Sequence, residues 1–278
     1  MTTMTAKNLP ATNLDEKAKW VWEETLKVHK RSPETRIASS LSPIEIFVAL
    51  YYGGFLKQDP KNPRWPDRDR CIISKGHGSL CMYPILADLG FYGMDELENV
   101  GRAGSFLGGI PDPVIPGYET MNGSLGHGCG VASGMALALK RRGKPQAVYV
   151  VTGDGELHEG ANWEAFMFAA QQKLDNLVVI VDNNKRCMLG NTDDVIAHGS
   201  LPAKFAAFGW ETFEVADGHN ANDICTTLEA CRQSQSGKPK VVIAHTRKGN
   251  GIPALEAAPL CHVMGVDAQT IDKLLVKA

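Results

Sequence analysis

The sequence predicts a three-layer α/β/α fold in which a mostly parallel sheet is covered by helices on both faces. Short apolar runs, typical of buried strands, alternate along the chain with longer amphipathic segments, typical of helices. The chain has 278 residues, which is enough for one large domain, and no internal repeat or linker divides it. We therefore predict one domain over residues 13–278, preceded by a short polar tail over residues 1–12.

Two helices are predicted before the first strand. Asn13 precedes an acidic turn and a run of helically spaced apolar residues, which indicates a helix that ends near Lys30. A second helix is predicted after Ser42, which would cap it, with Pro43 at the first helical position and Gly53 at the end.

Beyond these helices the chain alternates between strand and helix signals. The apolar runs that predict strands cover residues 71–74, 147–152, 177–181, 212–215 and 241–245. Helices are predicted up to residue 89, over 131–142, around 163–170 and over 223–232. The stripe of Trp163, Phe166, Met167 and Ala170 is expected to face the core. The glycine-rich stretch over 101–130 is too long for an ordinary connection, which favours a functional loop.

Composition excludes several classes of function. The 31 acidic residues nearly balance the 29 basic residues, so the chain lacks the charge of a nucleic-acid or anionic-membrane binder. The seven cysteines show no paired or zinc-ligand spacing, which indicates reduced thiols. No apolar run approaches the roughly 20 residues of a membrane span. We therefore expect a cytoplasmic protein whose partners are small molecules and other proteins.

One segment carries the features of a metal–diphosphate site. Asp154 lies in a Gly-Asp-Gly turn after a buried strand, and Asn184 follows the next buried strand. The carboxyl ends of parallel strands meet at one edge of a sheet, so these two oxygen ligands are expected to lie close together. Magnesium or calcium prefers such ligands. Gly153 and Gly155 permit the tight turn, and the following helix directs its positive end toward an anion.

The same segment resembles the thiamine-diphosphate fingerprint, and GDGELHEGANWEA is similar to its transketolase version. The resemblance implies the thiamine-diphosphate-binding fold. It also implies that Asp154, the side chain of Asn184 and the backbone carbonyl of Arg186 hold Mg²⁺, Ca²⁺ or Mn²⁺. Gly153 and Gly155 would then contact the cofactor, with the Gly155 N–H donating to the diphosphate.

Other motifs of the transketolase family follow in family order. SKGHG resembles the segment that brings a histidine, here His77, to the thiazolium and diphosphate. GSLGHG resembles the loop at the aminopyrimidine ring, which implies that the Gly123 carbonyl accepts from the amino group and that Leu125 packs on the ring. TRKGNG, followed by His262, resembles the stretch whose histidine faces cofactor and substrate. Glu159 matches an acidic residue of the subunit interface near the cofactor.

Two residues depart from the transketolase pattern. Arg36 stands where a histidine is usual, and Ile110 replaces the histidine of the usual Gly-His-Pro. An arginine is always charged and isoleucine cannot hydrogen-bond, so both changes alter the donor end of the site. We hypothesise that the donor ketose differs from xylulose 5-phosphate. His77, with His262 and Arg36, would shuttle protons and stabilise oxyanions at the reacting carbons.

The resemblance covers residues 14–278 and stops after the diphosphate-binding domain. It implies the N-terminal subunit of a split transketolase, which transfers a two-carbon ketol unit from a ketose phosphate to an aldose phosphate. A separate C-terminal subunit would carry the pyrimidine-binding domain, in a two-plus-two heterotetramer. Apulose 4-phosphate or a sulfosugar is the expected kind of donor. Two alternatives stay open: a subunit of another thiamine-diphosphate carboligase, and a non-catalytic regulatory subunit of the same fold.

Overall fold

The central sheet is parallel throughout, as the alternation of strands and helices predicts. The computed structural model describes residues 13–277, so the expected tail over residues 1–12 lies outside the described residues. The strand order is β1-β2-β3-β7-β6, and every pair in this sheet is parallel. The strands are β1 (Arg70–Ile73), β2 (Val148–Gly153), β3 (Leu177–Asn183), β6 (Glu211–Val215) and β7 (Lys240–His245).

Helices cover both faces of this sheet and create two apolar cores. Alternate residues of a strand point to opposite faces, so Val151 belongs to one core and Val150 to the other. The helices are α1 (Leu14–Arg31), α2 (Ile37–Leu41), α3 (Ile44–Tyr52), α4 (Met82–Asp88), α5 (Gly128–Arg141), α6 (Gly160–Gln171), α7 (Thr192–Ile196), α8 (Leu201–Ala207), α9 (Ala221–Gln233), α10 (Pro253–Ala257) and α11 (Ala268–Lys277). Side chains of α1, α3, α4 and α9 line the first core, and those of α5, α6 and α8 line the second. The predicted three-layer architecture is confirmed.

The helices before β1 differ from the prediction in three respects: a short helix α2 is present in addition, Ser42 does not cap α3, and Pro43 precedes α3 instead of occupying its first helical position. The Asn13 side chain caps α1 by accepting from the backbone N–H groups of Asp15 and Glu16, at 3.1 and 3.3 Å. The predicted cap at Ser42 is wrong, because α3 begins at Ile44 without a side-chain cap and Ser42 instead ends the additional short helix α2. The Ser42 hydroxyl donates to Asp182, a residue 140 positions away, so local sequence could not reveal its role.

Several other features also depart from the sequence prediction, among them α7, α8, α10 and α11, where no helix was predicted. A short antiparallel ribbon, β4 (Arg186–Cys187) with β5 (Gly190–Asn191), follows the sheet strand β3. On α6, Phe166 is fully buried as expected, but Met167 is 54% exposed, so the stripe does not face the core as a whole. Among residues 13–277, no helix is both long and apolar enough to span a bilayer.

Candidate functional site

The two predicted metal ligands lie at the carboxyl edge of the sheet. Gly153, the last residue of β2, pairs with Asp182 near the end of β3. Asp154 directly follows β2, and Asn184 directly follows β3. The parallel register therefore brings both side chains to the same edge, as the sequence predicts.

Asp154 has a buried oxygen for which residues 13–277 supply no hydrogen-bond partner. Its side chain is 1% exposed, and Oδ2 accepts a 3.0 Å hydrogen bond from the Thr192 hydroxyl. Oδ1 is buried and has no hydrogen-bond partner within the described part of the chain. Burial, with a contribution from the nearby Asp182 charge, raises the pKa of Asp154 to about 6. A buried carboxylate oxygen in this state favours an additional cation.

Asn184 and Arg186 form a tight turn beside Asp154. The Asn184 amide nitrogen donates to Asp182 Oδ2 at 3.0 Å and to the Ser42 hydroxyl at 3.3 Å. Its amide oxygen accepts from the Arg186 backbone N–H at 3.1 Å. This turn approaches Gly155 so closely that a Cβ there would lie 2.9 Å from Cβ of Cys187 and 3.7 Å from the Arg186 carbonyl oxygen. Glycine at 155 therefore lets the Arg186 carbonyl approach the Gly-Asp-Gly turn.

Two buried lysines supply positive charge to the same region. Lys75 forms an ion pair with Asp182, and both side chains are almost completely buried. Although burial alone would raise the pKa of Asp182, Lys75 and the neighbouring hydroxyl groups hold it below its usual value. Lys248 is 5% exposed, and its ammonium group lies 3.5 Å from the Arg186 carbonyl oxygen. Burial, followed by repulsion from Lys75, lowers the pKa of Lys248 to about 8.

The structure brings the two predicted catalytic histidines together. The rings of His77 and His262 lie 4.8 Å apart between centroids, although the residues come from the segments after β1 and α10. Lys248 Nζ lies 3.0 Å from His262 Nδ1. Burial and the surrounding cations lower the pKa of His77 to about 2 and that of His262 to about 4. Both imidazoles are therefore neutral near pH 7.

Glu156 holds the predicted aminopyrimidine loop against the Gly-Asp-Gly turn. Its carboxylate is buried and accepts from the backbone N–H groups of Gly126, at 2.9 Å, and Gly153, at 3.3 Å. Leu125 is half-buried and Gly123 is exposed within this loop. Glu159 reaches the loop from the start of α6, since a Cβ on Gly126 would lie 2.7 Å from Cβ of Glu159.

Both departures from the family pattern lie at this edge of the sheet. Arg36 is exposed at the start of α2, and its charge contributes to the lowered pKa values of His77 and His262. Ile110 is 44% exposed. Its Cγ2 would lie 3.6 Å from a Cβ on Gly76 and 3.7 Å from a Cβ on Gly123. Arg36 therefore acts electrostatically on the histidine pair, and Ile110 adds an apolar group beside the two glycine loops.

Sequence reasoning missed several polar residues of the site. Lys75 and Lys248 lie inside the SKGHG and TRKGNG motifs, and a lysine beside glycine in such a motif was the available signal. Asp182 precedes the asparagine pair at the end of a buried strand, and Glu156 follows the Gly-Asp-Gly turn. Ser42 offers no local signal, because its contact with Asp182 depends on the tertiary fold.

The residues present fit a divalent metal held together with a diphosphate. Among residues 13–277, no three His, Cys, Asp or Glu side chains cluster as a protein-only metal site. One carboxylate, one amide oxygen and one backbone carbonyl leave coordination positions for ligand oxygens, which suits Mg²⁺ or Ca²⁺. The buried Asp154 Oδ1, which has no partner within residues 13–277, suits the metal, and the buried ammonium of Lys248 suits the anion. The fold and this donor set define the class: an α/β domain whose strand ends carry the groups that a metal–diphosphate cofactor requires.

Comparison with known proteins specifies the family. Residues 37–277 match the family model described as "Transketolase, thiamine diphosphate binding domain". The chain therefore belongs to the transketolase family, which confirms the resemblance seen in the motifs. Transketolases are transferases that move a two-carbon unit with the help of thiamine diphosphate.

Similar proteins include separate subunits of transketolases. The chain is 41% identical to one of the subunits of an apulose-4-phosphate transketolase from Actinobacillus succinogenes, over 93% of each chain. It is 38% identical to the SqwG subunit of a 6-deoxy-6-sulfo-D-fructose transketolase from a Clostridium species, over 82% of each chain. The crystal structure of transketolase from Campylobacter jejuni superposes with a TM-score of 0.87 at 29% identity, covering 95% of this chain and 42% of that one.

Proposed function

We propose that this chain is the N-terminal, thiamine-diphosphate-binding subunit of a two-chain transketolase, with residues 13–278 as its diphosphate-binding domain. The observation that carries the proposal is the buried Asp154 Oδ1, which has no protein partner within the described residues and lies at the edge where Asn184 follows the neighbouring strand. Such an oxygen is costly to bury unless a ligand compensates it. The family model supports thiamine diphosphate as this ligand, and the donor set favours a divalent metal bound together with its diphosphate.

In this proposal, Asp154, the Asn184 amide oxygen and the Arg186 carbonyl hold the divalent metal. Gly153 and Gly155 form the turn that the diphosphate approaches. Lys248 adds a positive charge beside the Arg186 carbonyl, where it can pair with a diphosphate oxygen. The arrangement therefore offers separate groups to the metal and to the anion.

The ring end of the cofactor is assigned to the loop that Glu156 holds. Gly123 would accept from the aminopyrimidine through its carbonyl, and half-buried Leu125 would pack on the ring. Glu159 lies beside this loop at the edge available to a second subunit. When bound, thiamine diphosphate supplies the electron sink for cleavage of a ketose carbon–carbon bond.

The neutral histidine pair is assigned to the sugar. His77 and His262 would exchange protons with the hydroxyl groups at the reacting carbons and donate hydrogen bonds to a developing oxyanion. Neutral imidazoles suit both tasks, because each ring carries one donor and one acceptor nitrogen. Arg36 adds a fixed positive charge on the exposed side of this pair.

The donor sugar is proposed to be apulose 4-phosphate, with a glycolaldehyde unit passed to an aldose phosphate such as glyceraldehyde 3-phosphate. Arg36 and Ile110 support a donor other than xylulose 5-phosphate, since they replace two histidines with a cation and an apolar group. The relative that is 41% identical is named for apulose 4-phosphate, and the relative that is 38% identical is named for a sulfosugar. A sulfosugar donor is therefore the second candidate.

The exposed apolar side chains support two subunit contacts. One group surrounds the cofactor edge, where a C-terminal subunit with the pyrimidine-binding domain would dock; it comprises Met121, Met188, Leu189, Ile196, Leu260 and Val263. A second group lies on the outer face of α5 and α6 and comprises Val131, Met167 and Phe168. We assign this second face to another copy of the chain, which gives a two-plus-two heterotetramer. The seven free cysteines are consistent with a cytoplasmic location.

Co-expression with the neighbouring reading frame, followed by a screen of donors, tests the proposal. The two-chain complex should consume apulose 4-phosphate in the presence of glyceraldehyde 3-phosphate, Mg²⁺ and thiamine diphosphate, and this chain alone should not. Turnover by the single chain at the rate of the complex would contradict the split enzyme. Cofactor binding without any transfer product would favour the regulatory alternative, and a product of another type would favour a different carboligase.

Reciprocal substitutions test the assignment of the donor end. Arg36→His with Ile110→His should shift the ratio of kcat/KM values toward xylulose 5-phosphate by at least about tenfold, about the effect of 1.4 kcal/mol. Met121→Leu is the matched control, because it changes an exposed apolar residue near the same loop. An unchanged donor preference in the double variant would show that these positions do not select the sugar.

A further inference from the structure

We propose that Lys248 is a positioning residue that fixes His262 in a single tautomer, with the ring proton on Nε2. The proposal rests on the proposed function only in assigning His262 to the sugar; the tautomer itself follows from the geometry. Lys248 Nζ lies 3.0 Å from His262 Nδ1, within hydrogen-bond distance. The resemblance to the transketolase motifs assigns no such role to this lysine.

The direction of this hydrogen bond follows from the chemistry of the two groups. An ammonium group has three donors and no acceptor, so Lys248 must donate and His262 Nδ1 must accept. A neutral imidazole has one protonated nitrogen, and an accepting Nδ1 leaves the proton on Nε2. His262 therefore offers the sugar an N–H donor for the developing oxyanion, and of the two histidines His77 keeps the basic nitrogen for the exchange of protons.

The surroundings of His262 keep the ring neutral. The charged or titratable groups that influence it come from three elements: Lys248 after β7, Arg36 at the start of α2, and Lys75 in the loop after β1. All three are cations, and the fourth neighbour, His77, is an imidazole with its ring centroid 4.8 Å away. A second proton on His262 would meet only positive charge, so the neutral Nε2–H form is retained.

Lys248 is held firmly enough to select one tautomer. Its side chain is 5% exposed and also donates to the Arg186 carbonyl at 3.5 Å. The next residue, Gly249, donates its backbone N–H to the Ala38 carbonyl at 3.0 Å and adopts a φ of +77°, which favours glycine. Lys248 thus connects two parts of the site. One is the turn with the Arg186 carbonyl, a proposed metal ligand, and the other is His262, which is assigned to the sugar.

Nitrogen NMR of the full chain labelled with ¹⁵N-histidine tests the proposal directly. The His262 signals are assigned by their loss in His262→Gln, and the Nδ1 and Nε2 shifts report which nitrogen carries the proton. The unsubstituted chain should show protonated Nε2 only. Lys248→Met, which keeps the length of the side chain but removes the donor, should give a mixture of tautomers. Lys248→Arg, which restores a donor-only group, should return the signal toward Nε2–H.

Kinetics of the two-chain enzyme at saturating cofactor provide the second readout. Lys248→Met should lower kcat for the donor half-reaction at least about tenfold. In the tautomer with the proton on Nδ1, His262 no longer donates an Nε2–H hydrogen bond to the oxyanion. Lys248→Arg should recover part of this loss. A proton on Nδ1 in the unsubstituted chain, or an unchanged tautomer in Lys248→Met, overturns the inference. Absence of transfer activity in the unsubstituted complex, with the NMR result as expected, contradicts the proposed function but not the tautomer.

Discussion

Replacing Glu156 by glutamine tests whether one buried carboxylate holds the cofactor loop to the sheet. The carboxylate accepts four hydrogen bonds, from the hydroxyls of Ser74 and Thr152 and from the backbone N–H groups of Gly126 and Gly153. Each oxygen thus receives one hydroxyl and one backbone N–H. Since Glu156 connects the residue that follows β1, the end of β2 and the loop before α5, its loss would loosen three segments at once.

The expected effect of Glu156→Gln follows from these four donors. The new amide group replaces one acceptor oxygen, and a hydroxyl facing it can turn to accept, but a backbone N–H cannot. The glutamine should place its NH₂ toward Gly153, whose 3.3 Å bond is longer than the 2.9 Å bond from Gly126. The Gly153 N–H then lacks an acceptor, and the remaining donors bond to a neutral amide instead of a carboxylate. Together these losses lower the free energy of unfolding by about 2–3 kcal/mol.

Urea denaturation followed by circular dichroism measures this change. A loss of this size is a large share of the roughly 5–15 kcal/mol that stabilises a typical domain, so the midpoint should fall clearly. Glu164→Gln is the matched control, because Glu164 is a more accessible carboxylate on the neighbouring helix α6. If Glu156→Gln loses less than about 1 kcal/mol, no more than an ordinary neutral hydrogen bond, the reasoning is wrong.

Three further outcomes are expected. Asp154→Asn should raise the stability of the metal-free chain, because it removes a buried carboxyl group whose pKa is raised to about 6. The same substitution should abolish the stabilisation by Mg²⁺ with thiamine diphosphate. Thermal unfolding with and without these ligands measures both effects. The unsubstituted chain should lose stability as the pH falls from 6.5 toward 4. The pKa of buried His29 is lowered to about 4, so the unfolded chain takes up a proton at this residue at a higher pH than the folded chain does. The urea midpoint of His29→Gln should lack the fall with pH that His29 causes. Met167→Lys should reduce the proposed two-plus-two complex to one copy of each chain in analytical ultracentrifugation. An unchanged mass would show that the α5–α6 face is not the contact between copies.

The pH prediction depends on how His29 is bonded. The Thr35 hydroxyl donates to the Ser32 carbonyl, so it accepts from His29 Nδ1 at 2.7 Å, and His29 Nε2 accepts from the Val266 N–H at 3.3 Å. Both ring nitrogens are thus satisfied only in the neutral form. A second proton would place two N–H groups face to face, and burial already disfavours the charge. Folded protein therefore resists protonation below pH 6.5, where unfolded protein accepts it.

The sheet strands and most of the long helices were predictable because local patterns determine them, whereas α11 was not predicted. Each predicted sheet strand matches an observed one to within two residues, since apolar runs of this length are buried on both faces of a parallel sheet. The short helix α2 and the ribbon β4–β5 were not predictable, because five and two residues are too few to show a period. Met167 follows the helical period but faces outward, which local sequence does not distinguish from a core position.

The placement of the candidate site residues in the fold was predictable where one motif supplies them and unpredictable where the fold joins distant residues. Asp154 and Asn184 follow from strand ends that any parallel sheet would bring together. The ion pair of Lys75 with Asp182 joins residues 107 positions apart, and only the order of β1, β2 and β3 makes it possible. The contact between Lys248 and His262 depends on a glycine-rich loop whose path no periodicity reveals.

The cofactor end and the donor end of the site differ in how freely their residues can change. Asp182 and Glu156 are buried and bonded to several segments, so a substitution there leaves unpaired polar groups in the core. Arg36 and Ile110 are exposed at the rim, where substitutions usually change stability by less than about 0.5 kcal/mol. On the proposed assignment of the donor sugar to the rim and of the cofactor to the buried network, such a fold can vary its sugar specificity while the cofactor chemistry stays constant. The two departures from the transketolase pattern fall on the side where such change is tolerated.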